Sequence, residues 1–221
     1  ATIADHDASL ILMHSHSVPV DPDSNPVYND VVEDILSELT EQIEDSRRIE
    51  AIGITGQGDG CWFIDEGGSP IRNAVLWSDG RASHILERWD QVGIEQEIAE
   101  TCGSRLFPGT SLVVLRWLKE TEPEVYNKID TVFSCKDWIK YKLTGNRITD
   151  PTDASLPYLD VESGEYEPRV CERAGCPEIP EALPEYRSGT EVIGTTLPRL
   201  QQKTGIPEGI PVVSGMLDVV A

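Results

Sequence analysis

The sequence predicts an α/β layered domain. Short apolar runs rich in β-branched residues, such as AIGIT (51–55), alternate with stretches of helical periodicity. Glycine and proline clusters punctuate the two, and no repeat of fixed period or low-complexity tract interrupts them.

The elements follow in order. Residues 1–18, ATIADHDASLILMHSHSV, alternate in a way that predicts a β-hairpin turning at Asp-Ala-Ser. DPDSNPVYND (21–30) reads as loop, and Val32, Ile35, Leu36, Leu39 and Ile43 then recur at helical spacing. Residues 50–55 form an apolar strand that ends in the glycines of GITGQGDGCWFID (53–65). Cys61–Asp65 and Ala74–Trp77 read as strands separated by the turn signal EGGSP. From Ser83 to Asn127 the pattern is helical in pieces, broken at LFPGT and at TEP, and Thr131–Ser134 reads as a strand. KDWIKYKLTG (136–145) predicts a helix stopped by Gly145. Residues 150–195 are irregular and rich in Pro, Gly and Glu, with strand character in SLPYLD and EVIGT. Leu197–Thr204 predicts a short helix ended by Gly205, and Pro211–Ser214 a last strand running into GMLDVVA (215–221).

At 221 residues the chain can bury a sizeable core, and 39% hydrophobic with 26% charged residues belongs to the globular class. No apolar run approaches the roughly 20 residues that span a bilayer. The N-terminus is acidic where a secretory signal would be basic, so a cytoplasmic protein is expected, with no membrane partner. Asp and Glu number 39 against 18 Lys and Arg, a formal charge of −21. Such a field repels phosphodiester backbones and argues against a nucleic-acid partner. Two readings of the acidity stand: an ordinary acidic protein, or one adapted to a high-salt cytoplasm where screening removes the repulsion. Stability unchanged between low and molar KCl would exclude the second. Cys61, Cys102, Cys135, Cys171 and Cys176 are odd in number and irregular in spacing, so buried free thiols are expected rather than disulfides or a zinc site.

The glycine cluster at 53–60 invites a phosphate-loop reading, but no Lys or Ser/Thr follows Gly60. A dinucleotide fingerprint should open a helix, whereas CWFID continues as a strand. What remains is a tight strand-to-strand loop in which Gln57 and Asp59 face a ligand that the glycines let approach. A carboxylate beside an amide suits a polyhydroxylated ligand, since the carboxylate accepts from two hydroxyls at once. The competing reading is a glycine-rich turn whose Asp caps local amides. His14 and His16, with His6 and Asp5 nearby, permit a metal geometry, but no carboxylate at ligand spacing supports it. Asp21, Asp23 and Asn25 imitate a calcium loop that Pro26 and Val32 exclude. In WSDGR (77–81), Trp77 offers a flat apolar wall to a sugar face while Asp79 and Arg81 form a supporting ion pair, or the group is a core Trp with a local salt bridge. Asp218 follows a strand's carboxyl end, where α/β folds carry chemistry, and could take a proton from a hydroxyl. A helix cap is the alternative.

Five blocks in order, AIGITGQGDGCWFIDEGGSPIRNAVLWSDGRA, LFPGTSLVVLRWL, KDWIKYKLTG, TDPTDAS and TGIPEGIPVVSGMLDVVA, resemble the FGGY family of carbohydrate kinases. That family includes xylulokinases, ribulokinases, glycerol kinases and erythritol kinases. The resemblance implies a ribonuclease H-like (actin-like ATPase) lobe, a mixed β-sheet flanked by helices with a small irregular α+β insertion. It implies transfer of the ATP γ-phosphoryl group, with Mg²⁺, to a hydroxyl of a small sugar or polyol. On this resemblance Asp218 falls on the general base, Gln57, Gly58 and Asp59 on the substrate loop, and Trp77 on the aromatic wall of the sugar pocket. Asp79 and Arg81 fall in a supporting block. Leu106 replaces a Tyr and Gly58 an Arg that glycerol kinases carry, departures that imply a roomier pocket for a pentulose or a four- to five-carbon polyol. The family's D-x-G-T hairpin would precede residue 1. Residues 1–214 then form the substrate-binding lobe, 215–221 open the hinge to a second lobe, and this chain alone is expected to be inactive. A homodimer is one option for its assembly. The rival readings are a non-catalytic sugar-binding module and a glycoside hydrolase using Asp59 and Asp218.

Overall fold

A computed structural model describes residues 2–4, 10–13 and 28–220, with side chains described over 32–220. His6, His14, His16, Asp5 and the acidic run at 21–25 lie outside the described residues. The N-terminal hairpin forms as expected, with β1 (Thr2–Ala4) pairing antiparallel to β2 (Leu10–Met13).

α1 (Tyr28–Glu41) carries the predicted apolar stripe, which buries Leu39. β3 (Ile52–Gly56) and β4 (Trp62–Ile64) flank the glycine loop. Four helices fill residues 83–126: α2 (Ser83–Gln91), α3 (Ile94–Cys102), α4 (Ser111–Thr121) and α5 (Pro123–Tyr126). The breaks fall at LFPGT and TEP because proline cannot continue a helix but starts one well, as Pro123 does for α5. β5 (Thr131–Phe133) pairs antiparallel to β4, and α6 (Cys135–Thr144) ends at Gly145. The irregular stretch holds β6 (Ile148–Thr149), α7 (Pro151–Ala154), α8 (Pro168–Arg173) and β7 (Glu185–Tyr186). β8 (Val192–Thr195), α9 (Pro198–Thr204) and β9 (Pro211–Leu217) complete the chain.

The central sheet has the order β3-β9-β8, with β9 parallel to β3 and antiparallel to β8. It is therefore mixed, as expected. One face meets α6, whose Leu143 packs with Ile193, Leu200 and Val212. A second apolar cluster joins Trp138 of α6 to Trp62, Ile64 and Phe133 of the β4–β5 pair. The largest cluster lies between α2, α3, α4 and α8 and takes in Ile85, Ile98, Leu115 and Cys171. All five cysteines are buried and free. No described helix is long and apolar enough to cross a membrane.

Three expectations need correction. Residues 74–77 form no strand and make only an isolated bridge, Val75 to Cys61; the other bridge on that edge, Ile64 to Pro70, falls on a proline that lacks the N–H a ladder needs. SLPYLD folds as turns with one bridge, Leu159 to Tyr166, since its two prolyl-interrupted halves cannot sustain a ladder. The last strand, expected over Pro211–Ser214, runs on through Leu217.

Candidate active site

Parallel pairing brings the candidate residues together. β3 and β9 run side by side in the same direction and end at one sheet edge, Gly56 opposite Leu217. Gln57, Gly58 and Asp59 leave from the first strand and Asp218 from the second, at the carboxyl ends where open α/β sheets leave a crevice. Asp218 is exposed, and its backbone N–H donates to Gly56 O at 3.0 Å. Trp77 is 49% exposed, and its Nε1–H donates to Gln57 Oε1 at 3.2 Å. Asp79 and Arg81 form the expected ion pair at 2.6 Å, and the Arg81 guanidinium lies over the Trp117 ring of α4, 5.2 Å from its centre. That pair anchors the turn after Trp77 to α4 without entering the loop at 57–59.

Asp59 sits in the left-handed region, φ 55°, which an Asp tolerates better than most side chains. The backbone N–H of Ser111, at the start of α4, donates to its carboxylate, a bond to a distant element and not to an amide of the loop itself. Its Oδ1, however, is buried with no hydrogen-bond partner among the described residues. Burial first and the Asp153 charge second push the Asp59 carboxyl up to about 7, against the Ser111 bond.

The glycines do something other than expected. A Cβ on Gly58 would lie 2.3 Å from Leu217 Cδ2 and 3.1 Å from both Asp153 Oδ1 and Leu156 Cδ1. The space that Gly58 leaves is filled by its own domain, and Leu106 is 4% exposed within the large apolar cluster. Neither departure from the glycerol-kinase pattern opens free volume in this chain. Gly58 instead lets the loop sit directly on the end of β9, next to Asp218.

Beneath the loop lies a charged cluster that sequence reasoning missed. Lys136 and Lys140 of α6 are fully buried and face Asp137, Asp150 and Asp153. Lys136 Nζ contacts Asp137 Oδ1 at 3.2 Å and also pairs with Asp150 and Asp153, while Lys140 Nζ contacts Asp137 Oδ1 at 2.7 Å. Ser134 Oγ donates to Asp153 Oδ2 at 2.5 Å. Burial works against the Lys136 charge, but the three carboxylates outweigh it and hold its pKa above the usual lysine range. Burial raises the Asp153 carboxyl to about 7, with the Asp137 charge adding to it. The signal was present in KDWIKYKLTG and TDPTDAS: two lysines four apart share a helix face, and Asp before Pro is a helix N-cap. Nothing in the pattern says that this face is buried.

The oxygens of Asp137, Asp150 and Asp153 lie within 4.8 Å of one another, close enough for a divalent cation. The two ammonium groups already stand among them and occupy the carboxylate oxygens, so the cluster does not fit Mg²⁺. No described segment has the glycine-Lys pattern of a triphosphate cradle either.

The sequence profile of the FGGY family of carbohydrate kinases, N-terminal domain, matches residues 5–221. An L-xylulose/3-keto-L-gulonate kinase of Escherichia coli (strain K12) is 35% identical over 184 residues, 83% of this chain and 37% of that protein. A probable L-xylulose kinase of Pasteurella multocida (strain Pm70) is 32% identical over 176 residues, 79% of this chain and 36% of that protein. The chain thus matches little more than a third of the length of these curated relatives. Among solved structures, gluconate kinase from Lactobacillus acidophilus has a TM-score of 0.88 at 23% identity, over 98% of this chain and 45% of that one. This last likeness establishes the actin-like fold.

Proposed function

The chain belongs to the FGGY family of carbohydrate kinases, and we propose that it is the substrate lobe of an enzyme that phosphorylates a pentulose or a four- to five-carbon polyol. ATP would be the phosphoryl donor, with Mg²⁺ held by parts of the enzyme other than the residues described above. The observation that carries the reading is the shared edge of β3 and β9, where the loop 57–59 and Asp218 emerge side by side. The names of the two xylulose-type relatives favour a ketose acceptor.

Asp59 and the Gln57 amide hold substrate hydroxyls, and the exposed Trp77 indole offers its face to the sugar C–H groups. The Asp218 carboxylate takes the proton of the attacking hydroxyl as its oxygen bonds to the γ-phosphorus and the bond to ADP breaks. Positioning supplies most of the acceleration in such a transfer. An ATP-coupled assay of the protein carrying both lobes, run over pentuloses, polyols and glycerol, tests the reading. Turnover of a pentulose or C4–C5 polyol well above glycerol is expected. Sugar binding without turnover would make the chain a binding module, and nucleotide-independent glycoside cleavage would make it a hydrolase.

A pH dependence follows from Asp59. An acceptor carboxylate must be ionised, so sugar affinity should rise about tenfold per pH unit up to about 7 and then level off. Asp59→Asn, which the left-handed backbone also accepts, should flatten that profile. The stability effect has the opposite sign. Asp59 and Asp153 bind their protons more tightly folded than unfolded, so they weaken folding progressively from about pH 4 to 7, with the full cost present above 7. An affinity profile that stays the same in the Asn variant would remove Asp59 from the sugar site.

A further inference from the structure

We propose that the Thr152 hydroxyl is the positioning group that sets Asp218 for proton abstraction; the inference rests on the kinase reading above. The end of β9 is not held by regular sheet pairing alone. The β3–β9 register shifts between Gly53 and Thr55, and Gly215 opposite this shift has φ 73°. A Cβ on Gly215 would lie 1.8 Å from Ile54 O, so the kink there depends on glycine. Beyond the kink, three bonds locate the last residues again. Thr55 Oγ1 donates to Met216 O at 3.0 Å, and the Asp218 N–H donates to Gly56 O at 3.0 Å. Between them the Leu217 N–H donates to Thr152 Oγ1 at 2.9 Å.

The first and last of these come from the neighbouring strand and move with it. The Thr152 bond comes from α7, and α7 is tied to the interior of the domain. The Thr152 backbone N–H donates to Asp150 Oδ1 at 2.9 Å, and its hydroxyl donates to the same oxygen. Asp150 is fully buried and is gripped by Lys136. The polarity of the hydroxyl is therefore forced. A carboxylate bonded to an ammonium only accepts and an amide only donates, so Thr152 gives its proton to Asp150 and receives the Leu217 amide. A chain of contacts runs from the buried lysine through Asp150 and Thr152 to the Leu217 amide, one residue before Asp218. The substrate loop touches Leu217 at Gly58 but has further anchors of its own, Gly60 N–H to Gly109 O at 3.0 Å and Ser111 N–H to Asp59. Loss of the Thr152 hydroxyl should therefore shift the base more than the sugar.

The test compares wild type, Thr152→Val, Thr152→Ser and Asp218→Asn, with the double variant Thr152→Val/Asp218→Asn, in the protein carrying both lobes. Thr152→Val is expected to lower kcat about 10²-fold with the sugar KM within about threefold, because misplacing a catalytic group by an ångström has effects of that size. Thr152→Ser, which keeps the hydroxyl, should stay within about threefold of wild type. In the Asp218→Asn background the Val substitution should change the residual rate less than about threefold, as expected of groups acting as one unit. If Thr152→Val does not fold, Thr152→Ala, which lacks the same hydroxyl, is read in the same way. A wild type that phosphorylates nothing would overturn the kinase reading itself. An active wild type whose Thr152→Val variant matches it, whose Val and Ser variants lose equally, or whose double variant shows the two losses multiplied would overturn the role of Thr152 alone.

Discussion

Asp218→Asn, in the protein carrying both lobes, is expected to lower turnover by about 10²–10⁴-fold, the usual contribution of a general base. Sugar affinity should change little. Asn keeps the size of the side chain and one hydrogen-bonding oxygen but takes no proton at neutral pH. The fold should be indifferent to the change, because Asp218 is exposed and its structural bond to Gly56 O is made by the backbone N–H. Rate and affinity can be separated by measuring kcat at saturating ATP and sugar alongside sugar binding without nucleotide. Near-normal turnover would remove Asp218 from the role of base and leave the sugar site of Gln57, Asp59 and Trp77 without its reacting partner.

The second large effect concerns stability. Lys136→Met should destabilise the domain by roughly 3–5 kcal/mol, the range for breaking a buried ion pair by removing one partner. Lys136 has no exposed side-chain surface, and its removal leaves Asp150 and Asp153 without their nearest cation. Lys140 cannot take its place: its Nζ is 3.7 Å from Asp150 Oδ2 and is already committed to Asp137. For a domain of this size the loss corresponds to a fall in Tm of roughly 6–20 °C. An exposed pair such as Arg88–Glu120, with half of the arginine side chain in solvent, should shift the melting point far less when broken. A Lys136→Met protein that melts within a degree or two of wild type would show that the cluster is not an essential electrostatic unit. The variant should also lose turnover if Asp150 holds Thr152 as argued, so activity is best measured well below its melting point.

Much of the local structure was legible because its causes are local. α6 and α9 follow from apolar spacing and a terminal glycine, and β3, β5 and β8 from short β-branched runs. The same logic failed at residues 74–77, where a run with strand composition makes one bridge and no ladder, the other bridge on that edge falling on Pro70. Composition cannot say which partner a strand will find. The glycines of the 53–60 loop were legible as a tight turn but not in their purpose. Gly58 is required by Leu217, a residue whose neighbourhood to the loop exists only once the two strands pair.

The sequence by itself determined the family, the order of elements, and the identity of Gln57, Asp59, Trp77 and Asp218 as the residues to examine, since ordered blocks survive in one dimension. Two things required the tertiary structure. The first is proximity: Thr55 and Met216 are 161 residues apart along the chain yet hydrogen-bonded, and their parallel strands deliver the loop 57–59 and Asp218 to one edge. The second is burial, which gathers Lys136, Lys140 and three aspartates from separate stretches of sequence into one buried ion cluster beneath the loop. Both depend on which faces meet, and a helix or strand pattern records only that a face exists.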